Sequence, residues 1–329
     1  MTPAASPSRL ASFPFPLSKD AYRYSANLEP APGRRETEAG AWGEAIMNAG
    51  PDYEDFIAAR ARILARHPGM LISARHMRAA EWDTLRYVMR RLAAEYPGDF
   101  RLAEDGRRWQ WANRRLGAEQ ELTIGDDASL PCGPLEYIGR QVVEDLVLMD
   151  AREGHLYADA GLVSFASGWS FPFVAGMSFA EIHGPVPRAN ADGVFTRAEA
   201  LLRRLPPGQA CRRVNWAFQA SRVLDKSIDN HAEWMPDAAR VLATATDADF
   251  GGQVHLRVEL QHLIGLETAD AVLFLIDTRF LSLAELATVP EWARRVIAVL
   301  EELPPDMADY KGITALRPRI TGWLRRHGA

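Results

Sequence analysis

The chain has 329 residues, 47% hydrophobic and 25% charged, which is enough apolar material for one large core or two modest ones at the ordinary charge of a globular protein. Its 38 basic and 43 acidic side chains leave a formal net charge of -5, so nothing in the balance points to nucleic acid or another polyanion as partner. Cys132 and Cys211 are the only cysteines and form no CxxC pattern, so this chain alone can build neither a structural zinc site nor a cysteine-ligated iron–sulfur cluster.

At the start, MTPAASPSRLASFPFPLSKD is interrupted by Pro14 and Pro16 before an apolar run can form, so it does not read as a secretory leader. No apolar run approaches the ~20 residues that cross a bilayer, and a cytoplasmic, membrane-free protein is expected. Residues 1–40, rich in Pro, Ala and Ser, carry Phe13, Phe15, Tyr22 and Tyr24 and predict an extended arm that packs its aromatics onto the body. Residues 52–67 predict a helix capped by Asp52, with Phe56, Ala59, Ile63 and Leu64 on one face. Residues 74–97 predict a second, with Trp82, Leu85, Val88, Met89 and Leu92 at the 3.6-residue period and Pro97 as its stop. Residues 99–123 are polar around Trp109 and Trp111 and show no clear element. Residues 134–150 predict a third helix with Ile138, Val142, Leu146 and Met149 on its buried stripe, and with one of Glu144 and Asp145 able to face inward.

The pattern then changes. Residues 155–169 are short strand-like runs joined by small residues, and residues 194–206 predict a helix capped by Thr196 and stopped by Pro206. Three strands are expected, Arg213 to Ala220, Val254 to Leu263 and Ala271 to Phe280, the last two joined by GLETAD as a hairpin. Pro290 divides the next stretch into a short turn and a helix over 290–302. The order predicts an α+β chain with one antiparallel sheet covered on one face by helices. It divides into an N-terminal arm and helical elaboration (1–134), a core (135–285) and a C-terminal helical segment (286–329).

No repeat, GxGxxG, GxxxxGK[ST], GxSxG or HExxH is present. Four constellations remain. In VHLRVELQHL, strand alternation puts His255, Arg257, Glu259 and Gln261 on one face and Leu256, Val258, Leu260 and His262 on the other; the polar face is either solvent-exposed or a pocket wall in which Arg257 and Glu259 pair. In EIHGPVP, Pro185 and Pro187 stiffen the turn that carries His183, which is a structural hydrogen-bonder or a metal or haem ligand. Trp169, Trp216 and Trp234 either fill core or line a site, and Glu144–Asp145 is either a surface pair or half-buried.

Taken in order, VVEDLVLM, SFASGWS, EIHGPVP, RVNWAF and LRVELQHL followed by LFLIDTRFLSL resemble the haem-dependent oxidative N-demethylase family, over roughly Pro14 to Leu283. The sharpest pieces are Ile182, His183, Pro185, Val186 and Pro187, and Arg257, Glu259 and Gln261. Leu260 and His262 stand where the family pattern RxERQTL has arginine and threonine, and WSFPFVAG lacks the family's lysine after the tryptophan. The resemblance implies a PAS-like core binding haem b and O2-dependent demethylation of a small methylated amine. Electrons would come from NADPH through FMN and 2Fe–2S groups on separate polypeptides. It implies His183 as the iron ligand, ahead of His231, His255 and His262, with Trp169, Trp216 and Pro185 beside the cofactor. Arg257, Glu259, Gln261 and Asn215 would then serve the reaction. The alternative is a haem-binding PAS-like sensor without turnover.

Overall fold

The computed structural model describes residues 7–188 and 193–328. Among these residues the strands are β1 (Glu29–Ala31), β2 (Arg35–Thr37), β3 (Gly40–Trp42), β4 (Leu71–Ile72), β5 (Phe100–Asp105), β6 (Arg108–Asn113), β7 (Ala118–Thr123), β8 (Asp145–Arg152), β9 (His155–Leu162), β10 (Ala210–Gln219), β11 (His255–Gly265) and β12 (Ala271–Ser282). Seven of them form one antiparallel sheet in the order β1-β10-β11-β12-β8-β9-β4. The three expected strands lie at its centre as β10, β11 and β12, and 266–270 closes the expected hairpin. The sheet is larger than predicted because it also takes β1 and β4 from the N-terminal region.

Register sets what the sheet presents. Asn215 lies opposite Glu259, and Glu259 opposite Thr278; Arg213 lies opposite Gln261, and Ala217 opposite Arg257. Directly opposed residues share a face, so Arg213, Asn215, Arg257, Glu259 and Gln261 project to the same side. The other side carries Leu256, Val258 and His262. There the long helices pack, Tyr53–Arg66 and Arg78–Glu95 over the β8 and β12 half, and Pro290–Glu302 and Arg317–His327 over the β10 and β11 half. Residues 1–6 of the expected arm lie outside the described residues, and Pro7–Ala11 is a short helix rather than extended chain; Phe13 and Phe15 are buried as expected, Phe15 stacking on Trp292 with centroids 4.4 Å apart, while Tyr22 and Tyr24 are half-buried.

The structure corrects several expectations and settles one alternative. The sheet is covered on both faces, not one, because the short helices Phe171–Val174, Phe179–Ile182 and Val194–Leu202 close over the polar side. Alternation in β11 therefore does not mark solvent: every residue of that strand is buried. Residues 134–150 do not form one helix. A helix spans only Pro134–Gly139, and the chain then turns into β8. Arg60, from the helix Tyr53–Arg66, donates to the carbonyls of Gly139 (3.0 Å), Val142, Val143 (3.1 Å) and Glu144 (2.9 Å) and to Asp145 Oδ1 (2.8 Å). Those carbonyls face the guanidinium rather than amides four residues on, so Arg60 holds the non-helical path between Gly139 and β8. Both Glu144 and Asp145 are buried, not one of them.

Residues 99–123, left without an element, form the β5–β6–β7 meander, with Trp109 and Trp111 pointing inward. Thr196 is not the cap of its helix, which starts at Val194 behind Gly193 at φ +60°, a conformation glycine adopts without a Cβ penalty. Among the described residues no helix is long and apolar enough to cross a membrane.

Candidate functional site

Between the polar side of the sheet and the three short helices lies a cavity of about 650 Å³. That is the size of a site that encloses a small molecule or cofactor. Val147 and Met149 of β8, Leu263 of β11, and Val272, Phe274 and Ile276 of β12 supply an apolar floor, and Phe171, Phe179 and Phe195 an aromatic roof.

His183 lines this cavity. The helix Phe179–Ile182 opens with a capping box, in which Ser178 and Glu181 satisfy each other's backbone amides, and His183 is the residue that ends it. Its Nδ1 lies 2.7 Å from the carbonyl oxygen of Phe179. A carbonyl only accepts, so Nδ1 carries the proton and Nε2 holds the lone pair. Phe179 and Phe195 flank the ring, each with its centroid 4.2 Å away. Burial pushes the imidazole pKa down to about 4, against the carbonyl's pull and with Arg213 adding to the fall. The ring is thus neutral and fixed in tautomer, and Nε2 has no hydrogen-bond partner among the described residues. A carbonyl fixing the far nitrogen is the arrangement that orients metal-ligating histidines.

The wall beside it is polar and tightly held. Arg257 and Glu259 are both buried, with Nε 3.5 Å from Oε1. Arg257 also donates to Leu224 O (3.0 Å), Phe165 O and Thr278 Oγ1 (3.3 Å), tying two loops to the sheet. Glu259 Oε2 accepts from Asn215 (3.3 Å) and Gln261 (3.0 Å). The four residues Arg257, Glu259, Gln261 and Asn215 therefore form one network on the cavity wall, the paired alternative of the two readings of VHLRVELQHL. Gln261 Oε1 is buried without a partner.

Other sequence candidates are placed less centrally. Trp169 lines the cavity. Trp216 reaches its rim from the opposite side of β10, beneath Lys311, whose Nζ sits 4.5 Å from the ring centroid and donates to the Trp216 carbonyl (2.7 Å). Pro185 is exposed and outside the lining, so it shapes the turn and not the wall. His231 and His255 are absent from the lining, and His262 lies on the other face of β11.

Three cations were not foreseen. Arg213 shares the face of Asn215, a position that the alternation in RVNWAF already contains. Lys226 and Lys311 come from loops and carry no such signal. Burial pushes Lys226 and Lys311 each down to about 8, helped by Arg257 for the first and Arg213 for the second. Although WSFPFVAG has no lysine, Lys226 lies near Trp169: its backbone pairs with the segment 166–168, and its ammonium lies 4.8 Å from the Trp234 ring centroid within the cavity.

A neutral histidine with an unpartnered nitrogen thus stands over an apolar floor and beside the buried network around Glu259, in a cavity with room for a small molecule or cofactor. The family model described as haem-dependent oxidative N-demethylase, alpha subunit-like matches residues 40–321, a span that contains every cavity residue named above, and the chain belongs to this family.

Proposed function

We propose that this chain holds haem b through His183 Nε2 and carries out O2-dependent oxidative N-demethylation of a small methylated amine. The observation that carries the reading is His183 itself, neutral, carbonyl-oriented and open to the cavity. The other donors suit the group as well. The floor is apolar, as a macrocycle face requires, and Lys226 has no carboxylate within ion-pair reach among the described residues and suits an acidic substituent of the ring. We assign Trp169 to the same end of the cavity and the PAS-like description to the sheet with its short covering helices.

When bound, haem supplies activation of O2; a methyl C–H bond of the amine is oxidised, the C–N bond breaks, and formaldehyde and the demethylated amine leave, the second oxygen atom going to water with two protons and two electrons. This sequence has no nucleotide motif or cysteine cluster, so those electrons are assigned to separate components carrying NADPH, FMN and 2Fe–2S chemistry. The chain's own residues bind and orient. Glu259 accepts from the substrate N–H, since a cationic amine in an apolar cavity needs an anionic partner or must lose its proton. Asn215 and Gln261 fix the carboxylate's direction, and Arg257 holds it in place through the two loops it anchors.

The test is formaldehyde release from a panel of small N-methylated amines by haem-loaded protein with an NADPH-dependent flavin/iron–sulfur reductase. Glu259→Gln is expected to retain haem and lose about 100-fold or more in turnover. Haem-loaded protein that releases no formaldehyde from any of them contradicts the proposal and leaves a haem-binding sensor.

A further inference from the structure

The charges lining the cavity are unbalanced. Arg23, Arg213, Lys226, Arg257 and Lys311 line it against Glu259 and Asp237, and Asp237 pairs with Arg240 outside the lining; among the described residues only Arg257 of these cations has a carboxylate within ion-pair distance, Glu259. Arg213 donates through Nε to the Ala26 carbonyl (3.0 Å), and its two terminal nitrogens have no partner among the described residues. Lys311 spends one of its three N–H groups on the Trp216 carbonyl. These two cations sit close enough for Arg213 to be the second cause of the fall in Lys311, and Glu259 acts on both. An acceptor for an ammonium, Glu259, and two donors for an anion, Arg213 on the same face of the sheet and Lys311 over the Trp216 side of β10, therefore line one cavity.

A simple dialkylammonium uses only the first of these. It would enter a chamber whose surplus charge repels it, and the half-buried Arg213 and Lys311 would stay without a carboxylate partner, an unfavourable arrangement. A zwitterion satisfies both halves. We propose that the substrate is an N-methylated amino acid, its ammonium on Glu259 and its carboxylate on Arg213 and Lys311. This rests on the demethylase reading and narrows its substrate class. Guanidinium and ammonium donors to a carboxylate make the strong, charge-assisted class of hydrogen bond.

The experiment titrates haem-loaded protein with N-methylglycine, with N-methylglycinamide, which lacks the carboxylate, and with dimethylamine, reading the Soret band and thermal stability without turnover. N-methylglycine is expected to bind at least about tenfold more tightly than the other two, the scale of one lost charged hydrogen bond. Lys311→Met should erase that preference at unchanged haem content, so that acid and amide bind alike. Equal or tighter binding of dimethylamine to the wild type overturns the proposal whether or not the variant folds. So does loss of haem, rather than of acid preference, in Lys311→Met or Arg213→Gln, which would assign these cations to the macrocycle's own acid groups. Failure of the demethylase reading looks different: no formaldehyde from any methylated compound.

Discussion

His262 is fully buried, and neither ring nitrogen has a hydrogen-bond partner among the described residues. It lies on the face of β11 turned away from the cavity, where burial, then Arg212, Arg279 and Arg91, push its pKa down to about 3. A buried donor and acceptor left unmade cost about 1–3 kcal/mol. His262→Leu is therefore expected to be neutral or to stabilise by about 1 kcal/mol near pH 7, read as the midpoint of urea unfolding. The sign of the pH effect follows from the two states. Between about 3 and 6.5 the unfolded chain binds a proton that the folded His262 refuses, so stability falls as pH drops through that window. The leucine variant should lose less stability on acidification than the parent. A large destabilisation at pH 7, or an unchanged acid slope, would show that the ring makes interactions that matter. His183 and His255, each pushed down to about 4 by burial, add slope in the same direction.

At the scale of elements, the sharpest lesson is 134–150. Its run of Val142, Val143, Leu146, Val147 and Leu148 belongs largely to β8, an interior strand of the sheet buried on both faces, and a continuous apolar run of that kind cannot be told from a buried helix by period alone. What decides it is Arg60, some eighty residues earlier in sequence, and so invisible to any local reading. Arg60→Met removes the partner of six buried acceptors, Ser164 Oγ among them, and is expected to cost about 3–5 kcal/mol in urea unfolding, because it strands Asp145 as an uncompensated buried charge. A loss below about 1 kcal/mol would mean that β8 does not depend on this anchor. The β5–β6 hairpin was missed although its local signal is present. Trp109 and Trp111 alternate with Arg108 and Gln110, and Gly106, at φ +57°, follows Asp105 in the Asp-Gly pattern of tight turns. The charged outward residues masked a strand whose other side is core.

Across the molecule, the sequence carried the α+β class, the three central strands, the arm packing through Phe15 and the Pro-stiffened turn of His183. The alternation of Arg257, Glu259 and Gln261 was readable too, but whether that face met water or a cavity depended on short helices too brief to leave a periodic signal. Lys226 and Lys311 reach the cavity from loops, a proximity that exists only once the sheet and the C-terminal helices close. The account rests on one claim above the others, that His183 presents Nε2 to a haem iron in this cavity. Its most direct measurement is the absorption spectrum of purified, haem-reconstituted protein beside His183→Ala. The account predicts a Soret band at one haem per chain in the parent and, in the variant, loss of haem or a changed ferric spectrum. Stoichiometric haem with an identical ferric spectrum in His183→Ala would contradict it.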